Sequence, residues 1–301
     1  MTPDARHQSA LLPLDEGLYR LDSAEITFLK QQIGIDDDDE LKTHLLSIQA
    51  EAYEVYPYPC IRLFSWTRPG VSRLFPYQNL LKLGREREGA ILLDIGCCFG
   101  TDVRKAIADG FPLRNVVTSD LHQGFWDLGH RLFRTTPDTF PVTFVPGDVF
   151  DPEHLSIVSP FTAYSHSLTT VPDLGTLTSL NPLRGHVSAI CALSFFHLFP
   201  EDAQLRLARA LAGLLSPEPG SMIFGKHIGL PESRHREDLS PRVRLFCHTP
   251  RSWSGLWDGG VFPKGTVKVL AFVTEVPKER VAHIYSEANS LHLLTWSVTR
   301  L

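Results

Sequence analysis

Three acidic residues follow three successive apolar runs, and the first of them lies in a glycine-containing segment. Asp94, Gly96 and Gly100 belong to ILLDIGCCFGTDVRK, between an apolar run and a helical pattern. Glycine lets a backbone approach a ligand closely, because a Cβ would collide with it. The spacing is DxGxxxG, which lacks the GxGxxG cradle for a pyrophosphate. A carboxylate beside these glycines suits a ligand with an ammonium or sulfonium group, and S-adenosylmethionine carries both.

The other two acids fit the nucleoside part of the same ligand. Asp120 ends the run NVVTSD, about 20 residues past the last glycine, where dinucleotide folds place an acid that binds ribose hydroxyls. Asp148, in GDVFD, can accept from an adenine amino group, with Val149 and Phe150 flanking the ring. Taken singly, either acid could cap a helix. The order and spacing of the three favour S-adenosylmethionine, and the missing GxGxxG disfavours a dehydrogenase.

Alternating strand and helix patterns from residue 90 must position these acids. They predict an α/β, Rossmann-like fold, with a mostly parallel seven-stranded sheet covered by helices on both faces. The runs VKVLAFVTEV and LHLLTWSVTRL predict a C-terminal antiparallel hairpin. We expect an N-terminal helical extension or lid over 1–88 and the donor-binding domain over 89–301. An insertion at about 230–262 would face the acceptor pocket, and the two parts would form one compact unit.

Candidate acceptor residues come from the lid, from the segment after the fourth predicted strand and from the insertion. His197, in SFFHLF, is the candidate base, although it could instead pack against Phe199 or cap a helix. A carboxylic acid acceptor is already ionised at neutral pH, whereas a phenol gains from a base. The predicted substrate-binding residues, for each of which ordinary packing or surface pairing is the alternative, are Arg62, Tyr53, His227, Trp253 and Trp257.

Composition excludes several function classes. The net charge of −5 argues against a nucleic-acid partner. The five cysteines fit neither a zinc site nor a disulfide framework, so we expect no metal and reduced thiols. Cys97 lies in the glycine segment, where we expect its backbone to face the donor rather than its thiol to act as a nucleophile. Neither a bilayer-spanning run nor a signal peptide is evident, which predicts a cytoplasmic protein with no membrane partner. We expect the protein to be a monomer or a homodimer.

Three segments carry a resemblance to a known family. LLDIGCCFGTDVRKAIADGFP, SIQAEAYEVYPYPCIRLF and SFFHLFPEDAQ resemble the fungal methyltransferases of meroterpenoid and related secondary-metabolite pathways, such as the austinol-type carboxyl methyltransferases. The resemblance extends from about residue 25 to the C-terminus. It implies a class I fold, S-adenosylmethionine as donor and O-methyl transfer to a lipophilic terpenoid or polyketide-derived acid or hydroxyl. Donor positions of the family carry over to Asp120 with Leu121 and to Asp148, Val149 and Phe150.

The sequence therefore predicts an S-adenosylmethionine-dependent O-methyltransferase of a small lipophilic metabolite. Two alternatives stay open: a donor-binding partner subunit without catalysis, and a protein methyltransferase. The acidic balance disfavours an RNA methyltransferase. SFFHLF stands where many amino-group methyltransferases have an Asp/Asn-Pro-Pro-Tyr motif, which disfavours methylation of nitrogen.

Overall fold

A computed structural model describes residues 12–166, 170–232, 234–236, 245–277 and 290–301. The central sheet contains seven strands in the order β3-β2-β1-β4-β5-β9-β8. The first five are parallel, and β9 runs antiparallel to both β5 and β8. The strands of this sheet are β1 (Ile91–Ile95), β2 (Val116–Ser119), β3 (Thr143–Phe144), β4 (Val187–Leu193), β5 (Met222–Ile228), β8 (Val267–Glu275) and β9 (His292–Arg300). This arrangement confirms the predicted class I fold and its C-terminal antiparallel pair.

A second, two-stranded sheet lies in the predicted insertion. Its strands are β6 (Arg234–Arg236) and β7 (Leu245–Cys247), which pair antiparallel. Residues 233 and 237–244 of the insertion lie outside the described part of the chain. The insertion ends in a helix that a Thr249 capping box begins.

The helices in the described residues fall into an N-terminal group and a group that connects the strands. The N-terminal group is α1 (Ser23–Ile33), α2 (Asp38–Val55), α3 (Pro59–Arg62) and α4 (Tyr77–Glu86). The second group is α5 (Thr101–Ala108), α6 (Gln123–Leu132), α7 (Ala163–His166), α8 (Glu201–Leu214) and α9 (Pro250–Trp257). None of these helices, within the ranges just given, combines the length and apolar character that crossing a bilayer requires.

Aspartate side chains cap the first two N-terminal helices. Asp22 caps α1 and forms a capping box with Glu25. The Asp22 carboxylate reaches the backbone of the first turn, while Ser23 already lies inside the helix. Asp37 caps α2, so the acidic run Asp36 to Glu40 lies at a helix start.

Apolar contacts join the N-terminal helices to the α/β part. One buried cluster contains Leu45 and Ile48 of α2 together with Phe99 of the glycine loop and Phe125 and Leu132 of α6. Two further clusters lie on the two faces of the sheet, one against α8 and α9 and the other against α4 and α5. Because the first cluster draws on both parts, residues 12–88 pack directly beside the tips of β1 and β2.

Candidate donor and acceptor site

The glycine loop after β1 is fixed to the tip of β2 by its backbone. The Gly96 and Cys97 amides donate to the Ser119 carbonyl at 2.8 and 3.2 Å. Gly96 and Gly100 have φ values of 72° and 70°, in the left-handed region that favours glycine. A Cβ on Gly96 would come within 2.5 Å of the Phe195 ring, so this loop tolerates no side chain there.

Asp120 lies at the centre of the predicted donor site. Its two carboxylate oxygens accept from the backbone amides of Cys98 and His122, each at 2.9 Å. Its carbonyl accepts from the Gly147 amide at 3.0 Å, which ties the β2 tip to the loop after β3. Burial raises the pKa of Asp120, while the two amides oppose the shift. The carboxylate is therefore held in one orientation between three loops.

Asp94 and Asp148 differ from Asp120 in exposure. Asp94 is buried at 3% exposure, and burial raises its pKa well above the ordinary range. The Cys191 thiol of the neighbouring strand donates to it. Asp148 is exposed and accepts from the Phe150 amide at 2.9 Å. The acid nearest the glycines thus sits in a low-dielectric place, where a cationic group would favour its charged form.

The residues beside Asp148 follow the same edge of the sheet. Val149 is buried, whereas Phe150 is half-buried and meets Phe199 edge to face at 4.9 Å. Leu121 is 52% exposed, directly after Asp120. Phe150 and Leu121 thus leave apolar surface open to a planar base. Their roles in binding stay predictions.

Two tyrosines of the lid, which the sequence did not single out as donor-site residues, reach the same place. The Tyr56 ring stacks on His122 at 5.0 Å, and the Tyr58 ring lies 6.0 Å from Phe125. Tyr58 is close enough to Asp120 for its negative charge to add to burial in raising the pKa of the tyrosine. Their place beside Asp120 depends on how the N-terminal helices pack, which the spacing of the Tyr-Pro-Tyr-Pro run does not show.

A buried histidine that the sequence also missed supports the loop after β3. The His154 Nε2 lies 3.1 Å from the Ser119 hydroxyl, and the ring fills the space that a Cβ on Gly147 would need. Burial lowers the pKa of His154. Through these contacts, His154 joins the end of β2 to the loop after β3.

Arg62 and Tyr53 contact the N-terminal segment. The Arg62 Nε donates to the Pro13 carbonyl at 2.8 Å, and the Tyr53 hydroxyl donates to the Leu12 carbonyl at 2.7 Å. In this structure, the two side chains strap residues 12–13 onto α2 and α3. Their predicted contact with a substrate stays a prediction.

His197 lies in a short 3-10 helix just after β4 and is half-buried. Its Nδ1 is buried without a hydrogen-bond partner among the described residues. Burial lowers the pKa of His197 to about 4, so the ring is neutral at physiological pH and can accept a proton. A ring with this pKa is a weak proton acceptor near neutral pH, so the predicted role of His197 as a base stays a prediction.

His227, Trp253 and Trp257 lie together on the face of the sheet that α9 covers. All three are at most 2% exposed, and the His227 ring lies 4.7 Å from Trp253. His248, which the sequence did not indicate, lies 5.1 Å from the same indole. These residues pack as a buried aromatic cluster behind His197, and several of their ring nitrogens have no partner in the described part of the chain.

Cys97 is buried, and burial raises the pKa of its thiol well above the ordinary range. A neutral, buried thiol does not suit a nucleophile. The described residues contain no cluster of three or more His, Cys, Asp or Glu that could hold a metal ion.

The chain is similar in sequence to fungal methyltransferases. Residues 15–67 match a family model described as the meroterpenoid methyltransferase N-terminal domain. The chain is 29% identical over 256 residues to the asnovolin E/chermesin D methyltransferase nvfJ of Aspergillus novofumigatus, covering 85% of this chain and 82% of that protein. It is 30% identical over 220 residues to the O-methyltransferase phiE of a fungal species, covering 73% of this chain and 65% of that protein.

Among solved structures, the chain is similar to a 1,6-didemethyltoxoflavin-N1-methyltransferase of Burkholderia thailandensis with bound S-adenosylhomocysteine. The TM-score is 0.48 at 17% identity, and the match covers 88% of this chain and 91% of that one.

Proposed function

We propose that this chain, a methyltransferase related to the fungal meroterpenoid methyltransferases, transfers a methyl group from S-adenosylmethionine to an oxygen of a small lipophilic metabolite. The observation that carries the donor assignment is the row of acids at the tips of three adjacent strands, β1, β2 and β3. The name of nvfJ gives asnovolin E and chermesin D as its substrates, the matching family model is described as meroterpenoid, and phiE is named an O-methyltransferase, which supports an oxygen acceptor.

The donor site of the proposal is made from residues whose chemistry fits the ligand. Asp120 has lone pairs left beyond its two amide bonds, and these can accept from both ribose hydroxyls. Gly96, Cys97 and Gly100 present backbone at close range, with Asp94 supplying negative charge near the ligand's ammonium and sulfonium groups. Leu121, Asp148, Val149 and Phe150 enclose the adenine. S-adenosylmethionine, when bound, supplies an activated methyl group on sulfur.

The remaining task of the chain is to align the acceptor and exclude water. Residues 1–88 are the proposed lid, over the domain formed by 89–301, with the 230–262 insertion beside it. A carboxylic acid acceptor needs no base, whereas for a hydroxyl acceptor His197 takes the proton. His227, Trp253 and Trp257 form the apolar wall behind His197. The alternatives, a partner subunit or a protein methyltransferase, are not favoured by the relatives.

Calorimetry with S-adenosylhomocysteine tests the donor assignment. Asp120→Ala removes a charged hydrogen-bond partner worth about 1.5–3 kcal/mol, so we expect affinity to fall roughly 10- to 100-fold. Asp138→Ala is the matched control, because Asp138 is exposed on a turn away from the strand tips. Since Asp120 also holds two backbone amides, Asp120→Asn serves as a milder variant and thermal melts check folding. Equal affinity of folded Asp120→Ala and the parent protein would refute the assignment.

Methyl transfer by the purified chain tests catalysis. We expect transfer of labelled methyl to members of a panel of terpenoid and aromatic acids and phenols, with no second protein present. Donor binding without transfer to any of them would favour the partner-subunit alternative. Transfer to peptides alone would favour a protein methyltransferase.

A further inference from the structure

Lys226 is a cationic residue at the carboxyl edge of the sheet that the proposed function leaves unused. It lies near the end of β5, paired in register with Leu193 of β4 and Thr295 of β9. Its carbonyl accepts from the Ser194 amide at 2.7 Å, which fixes the backbone. Ser194 itself has a φ of 51°, a left-handed conformation that is uncommon outside glycine.

The side chain of Lys226 points to the same face of the sheet as Asp94. Asp94 pairs with Cys191, and Cys191 pairs with Phe224, two residues before Lys226. Because side chains alternate along a strand, Phe224 and Lys226 share that face. Two strand spacings across and two residues along place the backbones of Asp94 and Lys226 about 12 Å apart. This separation lies within the span of a bound small molecule.

The acidic neighbour of Lys226 is already engaged by backbone. Asp102, whose charge influences the lysine, accepts from the Val71 amide at 2.7 Å and from the Gly70 amide. Between Lys226 and Asp102, the structure has no ion pair within 4.0 Å. Burial raises the pKa of Asp102 to about 6, so this acid is still largely ionised at neutral pH, but its oxygens are held by the two backbone amides rather than by the lysine.

The other charged groups near Lys226 are cations. Arg68 and Arg73 come from the lid and act electrostatically on the lysine. Both lie within ion-pair distance of the buried Glu25, and Arg73 also bonds Asp22 at 2.7 Å. Their own partners are thus in the lid, and the half-buried Lys226 ammonium has no hydrogen bond or ion pair with any described residue. The Lys226 side chain therefore has no partner in the described part of the chain that an anionic ligand would have to displace.

We propose that Lys226 binds a carboxylate of a ligand at the carboxyl ends of β1, β4 and β5. The inference rests on the proposed function, which offers two such groups: the carboxylate of the methionine part of the donor, and the acid of a carboxylic acceptor. Either carboxylate would place a negative charge among Lys226, Arg68 and Arg73. The negative charges that the described residues supply there are those of Asp102 and of the N-terminal acids Asp22 and Glu25.

Lys226→Met tests the inference, because methionine keeps the length and apolar stem while removing the charge. Lys226→Arg is the conservative variant expected to restore binding, and Lys268→Met, on exposed β8, is the matched control. Calorimetry uses four probes: S-adenosylhomocysteine, 5′-methylthioadenosine, which lacks the amino-acid part, and benzoic and abietic acids with S-adenosylhomocysteine bound.

A donor carboxylate on Lys226 predicts that Lys226→Met weakens S-adenosylhomocysteine about tenfold or more and leaves 5′-methylthioadenosine unchanged. An acceptor carboxylate predicts unchanged S-adenosylhomocysteine and weaker binding of the acids. Parent-like affinity of Lys226→Met for both S-adenosylhomocysteine and the acids overturns this inference but not the proposed function. A parent protein that binds neither S-adenosylhomocysteine nor the acids overturns both.

Discussion

At the scale of single residues, the buried imidazoles have protonation states that their neighbours set. The Trp296 Nε1–H donates to the Nδ1 of His227 at 3.0 Å, so the proton of the neutral His227 ring lies on Nε2. His197 and His248 act electrostatically on His227, and together with burial they lower its pKa well below the ordinary range. Three neutral rings close together make this part of the protein sensitive to acid, because charging one disfavours charging the next.

His248 gives this sensitivity a measurable form. Burial lowers its pKa to about 4 in the folded state, against about 6.5 unfolded. A lowered histidine pKa contributes stability that is present above pH 6.5 and lost as pH falls toward 4. Glutamine carries no charge at any pH, so His248→Gln should be less sensitive to acid. When the pH falls from 7 to 4, we expect its unfolding free energy to decrease by about 3 kcal/mol less than that of the parent protein.

Urea unfolding at several pH values measures this difference. Asp102, with a pKa raised to about 6, acts in the opposite direction, since its folded form binds a proton more tightly. It is present in both proteins and cancels in the comparison. Parallel stability curves for the parent and His248→Gln would contradict the prediction.

At the scale of elements, α6 and the glycine loop are packed backbone against backbone. A Cβ on Gly129 of α6 would lie closer to the Phe99 carbonyl than real Cβ atoms come to a neighbour. We expect Gly129→Ala to lower the unfolding free energy by about 1–3 kcal/mol, since backbone must move to admit a methyl group. Because Phe99 belongs to the glycine loop, affinity for S-adenosylhomocysteine should fall as well.

Gly255 of α9 is the matched control for Gly129. A Cβ there has no neighbour within 4 Å, so Gly255→Ala should stabilise the protein by about 0.5–1 kcal/mol through helix propensity alone. Urea unfolding and calorimetry compare both variants. Similar stability changes in the two would show that the Phe99 contact does not limit the position.

The elements predicted from sequence are those with long apolar or periodic runs. The runs that became β1, β2, β4 and β5 are buried on both faces, as parallel strands should be. β3 forms only over Thr143–Phe144, because Pro141 and Pro146 flank it and proline cannot donate to a ladder. The β6–β7 pair was not predicted, since three-residue strands leave little pattern.

The sequence indicates those candidate site residues that follow the carboxyl ends of neighbouring strands. The strand pattern predicts that Asp94, Asp120 and Asp148 lie at the carboxyl ends of three successive strands. Tyr58 and Lys226 were not found, because their place in the site depends on how the lid and β5 pack, which sequence spacing does not record.

At the scale of the whole molecule, the lid and the α/β domain share one apolar cluster. Leu45 and Ile48 of α2 bury their side chains against Phe125 and Leu132 of α6, and all four are at most 2% exposed. The exposed Glu51–Arg131 ion pair joins the same two helices. Since surface ion pairs contribute little, the apolar cluster holds the lid in place. We therefore expect the two parts to unfold together.

A chain that begins at residue 89 tests this cooperativity. Without the lid, Phe99, Phe125 and Leu132 would face water, so we expect the shortened chain to bind a hydrophobic dye and to lack a sharp thermal transition. In the full chain, circular dichroism and tryptophan fluorescence should give the same midpoint, because Trp66 reports on the lid and Trp296 on the sheet. Arg131→Gln should leave that midpoint nearly unchanged. A shortened chain that melts as sharply as the full chain, at a similar midpoint, would mean that the lid is an independent domain.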